Sequence, residues 1–217
     1  MSKSAGTGKL LDSWSSTLQC AYMKRDMEFL YEVGTLRFIN RSWVQFLSPN
    51  FANLAEHHFR VMWLALMIAA KEGLQDTEKV VKMALVHDIA ESRAGDVHYV
   101  SRQYTERNEE LGIKDMLADT ALEEEFLSLW QEYEDRQSME AKIVKDADNL
   151  DIDFELSEQS AMGNTVGESF HDARKQVSQN KLYTETAQAI WQEIQDSDPH
   201  DWHRFGRNRL NSGDWKK

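Results

Sequence analysis

In the segment Leu85-Val86-His87-Asp88-Ile89-Ala90-Glu91, an imidazole and two carboxylates interrupt an otherwise apolar run. On a helix Glu91 falls one turn after His87 and Asp88, so the three side chains can lean towards one point. Burying such groups is unfavourable unless something pairs with them. Imidazole nitrogen together with carboxylate oxygen suits a divalent cation, and Glu91 could handle a water bound to it. The simpler alternative is a buried His–Asp hydrogen-bonded pair at a helix end. Further donors elsewhere in the chain decide between the two.

Two other segments offer such donors. Glu56-His57-His58-Phe59-Arg60 opens a run from Val61 to Ala70 that is apolar nearly all round, which predicts a buried helix. His57 shares a face with Val61, Leu64 and Ile68, and His58 with Met62, Ala65 and Ala69, so geometry alone does not choose between them. A lone His on such a face is ordinarily a satisfied core residue; two helices each presenting one favour a ligand. The third segment is Lys145-Asp146-Ala147-Asp148-Asn149-Leu150-Asp151-Ile152-Asp153. Asp148 lies between Val144 and Ile152 at helical spacing and is the carboxylate most embedded among apolar neighbours. Asp151 and Asp153 are expected to face solvent or secondary groups, as acidic runs usually do, and Asp146 is ambiguous.

These donors must be positioned by helices, because no strand-like alternation persists and only Pro49 and Pro199 interrupt the chain. Helices are predicted over Ser16–Val33, Asn53–Glu72, Asp76–Ser92, Gln103–Gly112, Ile113–Glu134, Met139–Met162, Gly167–Gln179 and Thr184–Asp196. Gly34, Gly73, Gly95, Gly112 and Gly163 stand at expected helix ends, and Asn53 and Asp76 offer N-cap chemistry. The expected fold class is all-α, a bundle of seven to nine helices. Residues 1–15 form an expected flexible arm, 16–198 the main domain, and 199–217 a tail. That tail, with His200-Asp201-Trp202-His203-Arg204-Phe205, is basic and aromatic; docking on the acidic body or on a neighbouring subunit is preferred over nucleic-acid binding.

Composition narrows the classes. Of 217 residues, 41% are hydrophobic and 29% charged, as in a soluble globular protein. A net charge of −12 argues against a nucleic-acid polymer as partner, since that needs a basic surface. It leaves room for a small phosphorylated substrate held by a local cation cluster and a metal. Cys20 is the sole cysteine, which fits a reducing cytoplasm and a small buried hydrophobe rather than a nucleophile. Met1 to Lys9 lacks the apolar region of a secretory signal, and Val61 to Ala70 is too short to span a bilayer. Ser4-Ala5-Gly6-Thr7-Gly8-Lys9 lacks the glycine spacing of a phosphate loop.

The order His57, then His87-Asp88, then Asp148 resembles the H…HD…D signature of the HD-domain metal-dependent phosphohydrolases. More narrowly, Glu56-His57-His58-Phe59-Arg60, His87 to Asp96, and Lys145 to Asp148 are similar to the bacterial 5′-deoxynucleotidase branch. That branch pairs an E/D-H-x-x-R helix with an HDxxE-x₃-GD segment and a KxxD helix. Arg41-Ser42-Trp43 resembles the Arg and Trp that its members place ahead of the first His. The similarity spans about residues 29–153, and four blocks matched in order are far more specific than a lone HD.

The resemblance implies an HD-domain helical bundle with His57, His87, Asp88 and Asp148 as ligands of one divalent metal ion: Mn, Co, Fe, Ni, Zn or Mg. It implies that Glu91 activates or positions the attacking water and that Asp96 contacts substrate or leaving group at the mouth. Arg41 would meet the phosphate and Trp43 would pack on the sugar. His58, where relatives often carry Ser or Thr, would contact the phosphate or compete as a ligand. The implied activity is removal of phosphate from deoxynucleoside 5′-monophosphates by a cytoplasmic homodimer. Trp130, Tyr133, Trp191 and the Trp202–Phe205 segment could supply its interface, with packing inside one chain as the alternative. Another reading is cleavage of deoxynucleoside triphosphates, for which Lys82, Arg93, Arg102 and Arg107 could add cations. Guanosine tetraphosphate hydrolysis, a non-catalytic nucleotide-binding regulator, and a di-iron oxygenase using His98 are further readings.

Overall fold

The computed structural model describes residues 23–205. The expected arm at residues 1–15, Cys20 and the far end of the tail lie outside the described residues. Among those described, the only extended pairing is an isolated bridge between Asn40 and Asn53, and everything regular is helical. The helices are α1 (residues 23–33), α2 (Leu54–Lys71), α3 (Thr77–Val86), α4 (Glu91–Ala94) and α5 (Glu109–Leu117). They continue with α6 (Glu123–Asp135), α7 (Met139–Ala161), α8 (His171–Asn180), α9 (Glu185–Asp196) and α10 (Asp201–Arg204). The all-α expectation is met. No helix is long and apolar enough to cross a membrane among these residues.

α7 is the hub, packing against α2, α3, α6 and α9. Its apolar stripe of Ile143, Val144, Ala147 and Leu150 is fully buried. α2 starts at a capping box: the Asn53 side chain accepts from the Glu56 N–H, and the Glu56 carboxylate accepts from the Asn53 N–H. This fixes the register of the turn that carries His57 and His58, both buried with Val61, Leu64, Ala65 and Ile68. The outer face of α2 departs from the expected burial all round, because Phe59, Trp63 and Met67 are each more than half exposed.

Three predicted helices differ in detail. The stretch Asp76–Ser92 is not continuous: α3 ends at Val86, a turn carries His87 to Ala90, and α4 resumes at Glu91. The His87 ring Nδ1 hydrogen-bonds the Ala84 carbonyl at 2.7 Å, and a side chain that competes for backbone acceptors favours leaving the regular helix. Gly112 is not a helix stop. It lies within α5, where a Cβ would sit 3.6 Å from the Ala90 carbonyl, so α5 packs close against the turn. The long helix expected from Ile113 breaks instead at Asp119, which adopts φ 59. At the other end Trp202 and Phe205 are exposed, whereas Trp130, Tyr133 and Trp191 are buried in the chain's own core and offer no interface.

Candidate active site

His57 on α2 and His87 in the turn after α3 reach one point, their Nε2 atoms 3.3 Å apart. Each ring is held from behind. His57 Nδ1 meets the buried Asp151 carboxylate at 2.7 Å, and His87 Nδ1 meets the Ala84 carbonyl at 2.7 Å. A carbonyl only accepts, so His87 Nδ1 carries the hydrogen and its Nε2 lone pair faces His57. Asp88 Oδ2 lies 3.3 Å from His87 Nε2, and Asp148 Oδ1 lies 3.4 Å from His57 Nε2. One donor atom from each of His57, His87, Asp88 and Asp148 falls within 4.8 Å of the others. Two imidazole nitrogens and two carboxylate oxygens converging so closely fit a divalent cation, which would share the lone pairs that otherwise face one another.

The charges respond to this crowding. Burial and Arg41 disfavour a protonated His57, yet hydrogen bonds with Asp148, Asp151 and Asp88 outweigh them and raise its pKa to about 10. Burial lowers the His87 pKa. Burial also opposes ionisation of Asp88 and Asp148, but the imidazoles beside Asp88, and Lys145 and His57 beside Asp148, hold both below the usual carboxylate range. Lys145 Nζ sits 2.6 Å from Asp148 Oδ2, leaving Oδ1 turned towards His57. A proton on His57 is the charge a cation would replace.

Beside the cluster is a polar cavity of about 210 Å³. Asp88 and Asp148 open into it, as do Glu91, Asp96 and Arg41. Burial, followed by the charges of Asp88 and Asp96, pushes the Glu91 carboxyl up to about 9. Its Oε1 accepts from Arg107 at 3.2 Å, and its buried Oε2 has no hydrogen-bond partner. Asp96 accepts from the Ser42 N–H at 3.0 Å and the Ser42 hydroxyl at 3.2 Å, and pairs with Arg41 Nε at 3.1 Å. A larger cleft of about 770 Å³, lined by residues of α7, α8 and α9, contains none of the four donors.

Two of the expected substrate residues do not line this cavity. Trp43 packs on Phe51 and Phe170 in a small satellite core and does not line the cavity. His58 is buried beside His87, its Nδ1 on the Leu54 carbonyl, and burial lowers its pKa to about 3. Among the four cations suggested for a triphosphate, Lys82 pairs with Glu78 and Glu125, and Arg93 with Glu32; only Arg102 and Arg107 reach the cavity. His98 hydrogen-bonds Ser101 and packs on Phe46 instead of joining the donors.

Several functional partners went unassigned in the sequence. Asp151 is buried against His57, and Asp153 pairs with Arg174, so neither faces solvent. Asp146 caps the start of α9, accepting from the Tyr183 and Thr184 N–H groups and the Thr184 hydroxyl. Asp151 follows Asp148 by one helical turn, and that spacing was the available signal. Arg107, expected only as a cation for a triphosphate, comes from a loop, and Arg136, not singled out, comes from a helix end where no periodicity points to it.

A bundle of helices joined around a His/Asp donor cluster and a small polar cavity defines a metal-site class of protein, and comparison supplies the family. The family profile described as "HD domain" matches residues 33–195, so the chain belongs to the HD domain family. The chain is 32% identical over 155 residues to 5′-deoxynucleotidase HDDC2 of Bos taurus, covering 68% of this chain and 75% of that protein. It is 33% identical over 142 residues to 5′-deoxynucleotidase HDDC2 of Danio rerio, covering 63% and 70%. Among solved structures, a conserved hypothetical protein from Pyrococcus furiosus superposes with a TM-score of 0.65 at 26% identity, covering 79% of this chain and 99% of that one.

Proposed function

We propose that this protein is a metal-dependent phosphohydrolase that removes the phosphate of deoxynucleoside 5′-monophosphates. The observation that carries this is the convergence of His57, His87, Asp88 and Asp148 within 4.8 Å, beside a cavity shared with Glu91 and Arg41. The naming of relatives at about 30% identity as 5′-deoxynucleotidases supports the substrate class. Those four residues would hold one divalent cation of the Mn, Co, Fe, Ni, Zn or Mg group, with no one of these favoured. When bound, such a cation lowers the pKa of water and offsets phosphoryl charge.

The chain's own groups do the rest. Glu91 has one carboxylate oxygen free of partners and, once ionised, accepts the proton of the attacking water. Arg107 steadies Glu91 from its other oxygen. Arg41 presents a planar fork to phosphate oxygens and is aimed by Asp96, itself fixed by Ser42. Asp96 thereby acts as a positioning residue as well as lining the mouth. Trp43 packs in the satellite core and His58 packs beside His87. The small cavity and the placement of Lys82 and Arg93 away from it favour a monophosphate over a triphosphate. The working unit is residues 16–198, in a cytoplasmic homodimer. The test is a panel of nucleoside mono- and triphosphates with each metal, products separated by chromatography. Orthophosphate from monophosphates, lost in Glu91→Ala and after chelation, is expected; full activity in Glu91→Ala would sink the proposal.

A further inference from the structure

Arg136 has φ 54, and only Asp119 shares a positive φ among the described non-glycine residues. Side chains with a Cβ are disfavoured there, and such strain persists where its surroundings enforce it, often at functional sites. Arg136 caps the end of α6. Its guanidinium carbon lies 3.4 Å from the centroid of the Tyr133 ring, and that ring meets His87 edge-on. The turn and the ring hold Arg136 where it lines the cavity.

Arg102 is exposed and gives its Nε to the Val97 carbonyl, and the two half-buried neighbouring cations are already engaged. Arg107 commits Nη1 to Glu91 and the Gly95 carbonyl, and Nη2 to Glu109. Lys145 is bound to Asp148. Arg41 and Arg136 differ, since each keeps a buried Nη1 without a hydrogen-bond partner. Among the described residues, the one carboxylate that Arg136 contacts is Glu134, 3.4 Å from Nη2. A buried charged donor left unpaired is unfavourable, and an anion in the cavity would satisfy both nitrogens.

We infer that Arg136 is a second anion-binding guanidinium of the active site, gripping the dianionic phosphate of a phosphate monoester together with Arg41. This deepens the proposed function: the phosphate is held from two walls, one guanidinium aimed by Asp96 and the other stacked on Tyr133. Restricting both forks to one small cavity selects a single terminal phosphate over a longer chain.

The test is Arg136→Gly in the full chain, because glycine takes the positive φ without strain and so preserves the turn. Binding of inorganic phosphate is titrated calorimetrically on metal-loaded protein, and KM and kcat are measured with deoxyadenosine monophosphate. Loss of one charged hydrogen-bond pair predicts about a 10- to 100-fold rise in phosphate Kd and in KM, with bound-metal stoichiometry unchanged. A structural role alone would shift Tm and leave phosphate Kd in place. Unchanged phosphate affinity in a folded Arg136→Gly variant, or no phosphate binding by the wild type, overturns the inference. If that variant does not fold, Arg136→Gln under the same titration decides by the same criteria. Phosphate binding that is lost in the variant, without hydrolysis of any monophosphate by the wild type, would leave this inference standing and refute only the proposed reaction.

Discussion

Replacing Asp151 isolates what a residue behind a ligand contributes. Its Oδ2 lies 2.7 Å from His57 Nδ1, and the side chain is buried, so the contact is a charge-assisted hydrogen bond in a poorly screened site. Hydrogen bonds to charged groups contribute about 1.5–3 kcal/mol. At about 1.4 kcal/mol per tenfold, Asp151→Ala should weaken divalent metal binding by about 10- to 100-fold, in the range found for second-layer partners. Asp151→Asn keeps an acceptor but loses the charge, so it should fall near the lower end. The fold should tolerate both, because Arg60, which also approaches Asp151, retains Glu158 at 2.8 Å. Competition with a chromogenic chelator measures the Kd for Mn or Co, and a thermal melt monitors folding. A metal Kd within twofold of wild type for folded Asp151→Ala would refute the reasoning.

Asp146 sits on the same helix but serves α9, so Asp146→Ala should destabilise the protein by about 2–4 kcal/mol while leaving metal Kd unchanged; denaturant melts paired with the chelator assay check this. Gly112→Ala should stabilise by about 0.5–1 kcal/mol, because the added Cβ makes only ordinary contacts in a helix interior, and a Tm rise of about 1–4 °C is expected. With metal chelated, Glu91 is raised from 4.5 to about 9 and His57 from 6.5 to about 10. Both groups hold protons more tightly in the folded state, so their stabilisation is present at low pH and is lost as pH rises through those windows. Tm of the chelated protein should therefore fall between about pH 5 and 10, and Glu91→Gln should flatten the part below about 9; a rising Tm over that span would contradict the assignment.

The four donors were legible because each lies on, or at the end of, an apolar-patterned helix whose face could be read from spacing. His57 could not be separated from His58 that way, and both proved buried; what separates them is the direction of Nε2, which no sequence pattern encodes. The Glu91 relation to His87 was anticipated through a continuous helix, yet the chain turns at His87–Ala90 and still brings Glu91 to the cavity. For the acidic run on α7, secondary groups rather than solvent are the partners, for a physical reason. A helix packed on several sides has no solvated face, so Asp146, Asp151 and Asp153 are each buried against a partner far away in sequence. Trp43 was placed near the substrate by resemblance, whereas its ring belongs to the satellite core with Phe51 and Phe170.

The spread of the donors along the chain has a consequence for how the protein matures. His57 and the His87-Asp88 pair leave the ribosome well before Asp148, and at about 5–20 residues per second the 60-residue gap takes about 3–12 s. Until α7 is complete, the early histidines lack both the last carboxylate and the Asp151 partner that orients His57. A complete donor set is therefore available to a metal only after α7 has emerged. At a free metal concentration about 100 times Kd it adds about 2.7 kcal/mol to stability. Without that metal the folded chain lacks this contribution, and a smaller stability margin raises the unfolded fraction.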